Sequence, residues 1–78
     1  MKTKYKVVFK MAGGTILKVK EFVQPAGVIF CATQDVPSDA DMIQIEDLET
    51  GGVVSYELNN RQLPRKCLDG LKAFVGDV

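Results

Sequence analysis

Between Thr3 and Met11 the bulky apolar side chains fall on odd positions, Tyr5, Val7, Phe9 and Met11, and lysines hold the even positions 2, 4, 6 and 10. A period of two fits a strand with one face buried and one solvated, because successive side chains of an extended chain point to opposite sides. The first element is therefore a β ribbon, and whatever follows must give it a partner. Ala12, Gly13 and Gly14 break the alternation and supply the glycines a tight hairpin uses. Thr15 to Val23 is expected to return as a second strand. In that strand Leu17, Val19 and Val23 continue the core face, and Lys18 and Lys20 join the lysine face.

Gln24 to Gly27 reads as a turn, with proline presetting φ and glycine at the exit. Val28 to Thr33 shows no alternation, which suggests a central strand buried on both faces. Val36 to Asp41 is a polar loop. Met42 to Leu48 should form the fourth strand, with Ile43 and Ile45 inward and Gln44 and Glu46 outward, and a bulge where Asp47 and Leu48 slip the phase. Thr50, Gly51 and Gly52 form a second glycine hairpin, after which Val54, Tyr56 and Leu58 point inward and Ser55, Glu57 and Asn59 outward. Leu63, Cys67, Leu68 and Leu71 share one helical face. Gly70 favours a short helix from Pro64 to about Asp69 followed by a closing strand from Leu71 to Val75; the alternative is one helix from Pro64 to Val75 ended by Gly76. The expected fold class is mainly β with a minor α component. It is a small antiparallel meander of five to six strands, twisted or partly rolled into a barrel, with one short helix near the C-terminus.

Seventy-eight residues, 46% of them hydrophobic, support one core, so residues 1–78 are read as a single domain. The longest apolar run, Val28 to Ala32, falls far short of the roughly 20 residues that span a bilayer. Lysines interrupt every early apolar stretch, so no secretory segment is visible and a cytoplasmic location is expected. Cys31 and Cys67, with no metal or redox spacing, are expected as reduced thiols packed in the core.

The chain has no histidine, which removes the commonest general base, the Ser-His and Cys-His nucleophile pairs and the commonest metal ligand. Phosphate-loop and nucleophile-elbow motifs are missing as well. Asp35, Asp39 and Asp41 lack the register of a calcium loop and read as solvated turn residues. No enzyme activity, cofactor or metal is expected.

Net charge is zero, yet charge is strongly segregated: residues 1–20 carry +6, residues 21–60 carry −8 and the remainder +2. Lys2, Lys4, Lys6, Lys10, Lys18 and Lys20 would crowd one side of the first hairpin. Their repulsion could be relieved by the chain's own acids, notably Glu46 and Glu57, or by nucleic-acid phosphates. That same side carries Val8, Ile16 and Phe22, apolar residues that need shelter. The leading expectation is a non-enzymatic protein-protein interaction module that binds another protein, or self-associates with a second copy of itself, through a sheet edge or through Val8, Ile16 and Phe22. The alternative is a nucleic-acid-binding β domain using the six lysines. No membrane partner is expected.

Overall fold

A computed structural model describes residues 3–60 and 62–76. Tyr5–Lys10 forms β1, in which Tyr5, Val7 and Phe9 are buried and Lys6, Val8 and Lys10 are half-buried, as the alternation requires. The Ala12-Gly13-Gly14 turn closes through hydrogen bonds from the Met11 N–H to the Thr15 carbonyl (2.8 Å) and from the Gly14 N–H to the Met11 carbonyl (2.9 Å). Gly14 takes φ of 90°, a left-handed conformation that favours glycine. The chain returns as β2, Ile16–Phe22, antiparallel to β1.

The side-chain phase of β2 differs from the sequence expectation. Phe9 pairs with Lys18 but Lys10 with Ile16, which leaves Leu17 as the extra residue of a bulge. A one-residue insertion turns every later side chain to the opposite face. Leu17 still packs on the core, but Val19 and Glu21 now share a face with Val8 and Lys6, and Lys18, Lys20 and Phe22 share the other with Phe9, Val7 and Tyr5.

Residues 24–33 depart further. Gln24 is the N-cap and Pro25–Gln34 form helix α1, so this segment is neither a turn nor a buried central strand. Pro25 stands in the first turn, where its missing N–H costs nothing. Val28, Cys31 and Ala32 are buried at the i, i+3, i+4 spacing of a helix face, Ile29 packs beside them, and Phe30 stays 64% exposed. The apolar run thus disguised a one-sided helix. Gly27 permits a close approach: a β-carbon there would lie 2.7 Å from the Phe22 ring.

Met42–Asp47 forms β3 and Val53–Glu57 forms β4. Ile43 and Ile45 are buried and Val54 and Tyr56 half-buried on the same face, as their periods indicate. Instead of a bulge at Asp47 and Leu48, the strand ends: the Asp47 carboxylate accepts from the Glu49 N–H (2.9 Å) and the Thr50 N–H (3.2 Å), capping the turn to β4. Arg65–Val75 is one helix, α2, ended by Gly76 at φ of 80°. The closing strand expected at Leu71–Val75 is therefore helical. Leu71 and Val75 are buried at i, i+4, and Gly70 sits within the helix above β4, where a β-carbon would come 3.3 Å from the Tyr56 hydroxyl.

Among the described residues the strands form one open antiparallel sheet in the order β2-β1-β3-β4, four strands and not the five to six expected. It does not close into a barrel. Helices replace the missing strands, and they cover a single face, where Val7, Phe9, Ile43 and Ile45 meet Val28, Cys31, Ala32, Leu71 and Val75. Full burial of a valine, leucine, isoleucine or phenylalanine among them stabilises by about 1.5 to 3 kcal/mol. The Tyr5 hydroxyl donates to the Val75 carbonyl across a buried 3.0 Å bond, which ties β1 to the last turn of α2. Among the described residues no helix is long and apolar enough to cross a membrane.

Candidate interaction site

Among the described residues nothing covers the second face of the sheet, and pairing across the strands sets its side chains in three rows. Ile16, Lys10, Met42 and Glu57 form one row, Val19, Val8, Gln44 and Ser55 the next, and Glu21, Lys6, Glu46 and Val53 the third. Lys6, Val8, Lys10, Ile16, Gln44 and Glu46 line a shallow groove of about 200 Å³ across β2, β1 and β3. This volume lies below the roughly 300 to 1,000 Å³ of small-molecule sites, so the groove suits a side chain of a larger partner better than a free ligand. Ile16 at 57% exposure, Val19 at 47% and Val53 at 47% leave more apolar surface here than a solvated sheet face needs.

Val8 and Ile16 thus meet in the groove, but Phe22 does not join them. The bulge turns it to the helix side, where it is half-buried against α1 at Gly27. Val19, Met42 and Val53 take its place among the open-face apolar residues. An unbroken phase through the hairpin would put Val19 inward; the register shift that moves it leaves no mark in residue type.

The lysines are likewise dispersed. Lys6 and Lys10 lie on the open face, where Lys6 is flanked by Glu21 on β2 and Glu46 on β3. Opposite charges so placed contribute about 0.2 to 1 kcal/mol per pair. Glu57 sits on β4, opposite Met42 and beyond β3 from the lysines. Lys4 is exposed, 3.5 Å from the Glu49 carboxylate. Lys18 and Lys20 project on the helix side and converge on Asp35, the C-cap of α1, at 2.9 and 3.2 Å. The negative end of the helix dipole adds to their attraction. Lys2 lies outside the described residues. No single face gathers the six lysines.

Hydrogen bonds from Lys18 and then Lys20 hold the Asp35 carboxyl below its ordinary value. A strand over Val28–Thr33 would give Asp35 no such role; as the residue after a helix, it falls beside the edge strand. Burial, with the Asp35 charge secondary, pushes the Cys31 thiol up, which keeps it protonated and inert. Cys67 is a half-buried free thiol, and burial raises the Tyr56 phenol nearby. The Asp41 carboxylate accepts from the Ala12 N–H at 2.8 Å and so braces the first hairpin. Among the described residues no three cysteine or acidic side chains converge as a metal site would require.

No family model matches this chain, and no curated protein or solved structure shows significant similarity to it. The functional reading therefore rests on the geometry alone.

Proposed function

We propose that this chain is a non-enzymatic interaction module that presents the open face of its sheet, centred on the Val8 and Ile16 groove, to another protein. The observation that carries this reading is the placement of exposed Ile16, Val19 and Val53 on a face that no other described element covers, around a groove bordered by charges of both signs. An apolar centre with a polar rim is the common anatomy of a protein-protein contact. Nucleic-acid binding by the lysines is the weaker alternative: Lys18 and Lys20 are engaged by Asp35, and Lys6 has acids on both sides. The cytoplasm is the proposed location.

Affinity capture from the native cell, wild type against Ile16→Glu, tests the proposal. Ile16 is exposed, so the variant should keep its thermal midpoint while losing a partner that the wild type retains. Capture profiles identical for the two proteins would refute the open face as the contact, and a salt-sensitive gel shift with nucleic acid would favour the lysine alternative.

A further inference from the structure

The two edges of the sheet are built differently. On β2, Lys18 and Lys20 point toward the helix layer at the sheet boundary, and a bulge at Leu17 bends the strand. Inward-pointing charges and bulges are the devices that keep an edge from pairing with another chain. The edge strand β4, Val53–Glu57, has neither: it carries no lysine and no proline, and its pairing with β3 runs without a register shift. The Asp47 backbone N–H donates to the Gly52 carbonyl (2.8 Å) and the Leu58 N–H to the Asp41 carbonyl (2.9 Å), so even-numbered positions of this strand turn their backbone groups toward β3. By the alternation of an antiparallel ladder, Val53, Ser55 and Glu57 turn theirs outward.

We propose that β4 pairs antiparallel with β4 of a second copy of this chain, about a two-fold axis at Ser55, and fuses two four-stranded sheets into one. In this register Ser55 faces Ser55 of the copy and exchanges a reciprocal pair of hydrogen bonds with it, and each Val53 exchanges another pair with Glu57 across the axis. Val54 and Tyr56 meet as non-hydrogen-bonded neighbours on the helix side, a β-branched and aromatic pairing that favours strand association. No like charges face each other. The corresponding pairing of β2 about Val19 would set Lys18 against Lys20 twice. Association through β4 also closes on itself: both edges left over are copies of β2, so growth stops at two chains.

This inference takes up the self-association expected from the sequence and goes beyond the proposed open-face contact, whose central groove lies across β2, β1 and β3. A five-residue edge buries little area, so the affinity belongs at the weak end of protein association. The test is sedimentation equilibrium of the full chain from about 1 µM to about 1 mM. The expected result is a mass that rises from 8.6 kDa toward twice that value. Ser55→Pro removes an outward N–H, which an edge strand tolerates, and should raise the dimer dissociation constant at least about tenfold while circular dichroism remains native. If Ser55→Pro does not fold, Ser55→Lys, which sets two ammonium groups across the axis, should weaken the dimer in the same way. Ile16→Glu should leave dimerisation unchanged. A chain that stays monomeric at about 1 mM, a dimer insensitive to the foldable Ser55 variant, or a dimer lost on Ile16→Glu would overturn the proposal.

Discussion

Gly27→Ala sets two effects of opposite sign against each other. Alanine is favoured over glycine in a helix by up to about 1 kcal/mol, so the substitution alone should stabilise α1. Its β-carbon, however, would stand 2.7 Å from Cδ1 of Phe22. Carbon atoms rest about 3.5 to 4.0 Å apart, so the ring must retreat by roughly 1 Å. Overpacking of this kind costs about 1 to 3 kcal/mol. The expected net effect is a destabilisation of up to about 2 kcal/mol, with each 1 kcal/mol lowering the melting temperature by about 4 to 8 °C in a domain of this size. Urea denaturation of the wild type, Gly27→Ala, Phe22→Leu and the double variant completes a cycle. With the ring replaced by leucine the alanine should become neutral or stabilising, a coupling of at least about 1 kcal/mol. If Gly27→Ala stabilises the protein equally in both backgrounds, Phe22 does not pack on α1, and the assignment of that side chain to the helix face is wrong.

Tyr5→Phe should destabilise by about 1 to 2 kcal/mol, since the Val75 carbonyl at a buried position loses its donor; thermal unfolding reads the loss directly. Asp35 supplies a pH dependence. Its folded pKa lies below the ordinary 3.8, so its stabilising contribution is complete above that value and is lost as the pH falls through the folded pKa. Melting temperatures from pH 6 downward should therefore fall below about pH 4 more steeply for the wild type than for Asp35→Asn, and parallel curves would show that the Lys18 and Lys20 contacts contribute nothing.

Much of the sheet was legible in the sequence. Tyr5, Val7 and Phe9, then Ile43 and Ile45, then Val54 and Tyr56 alternate with polar residues because each strand has one buried face, and the structure places all of them inward. After β4, α2 follows the single-helix alternative with Gly76 as its stop. Val28 to Thr33 misled because an unbroken apolar run of this length suits a buried strand or a helix equally. What distinguishes them is tertiary: Phe30 is left in water while Val28, Cys31 and Ala32 are buried. Gly27 suits a turn by residue type, but within α1 it admits the Phe22 ring. The candidate site was half legible. Val8 and Ile16 share the open face, whereas Phe22, Lys18 and Lys20 were displaced together by one bulged residue in β2, an event decided by ladder geometry and not by side-chain type.

Because every sheet residue that anchors the helices lies on one side, the three rows on the other side are nearly free of folding constraints. Size and sign at Ile16, Val19, Gln44, Ser55 or Glu57 can change while the helix contacts stay as they are. Such a scaffold can be retargeted by rewriting one flank, so divergence among chains built on this plan should concentrate there and spare the residues beneath α1 and α2.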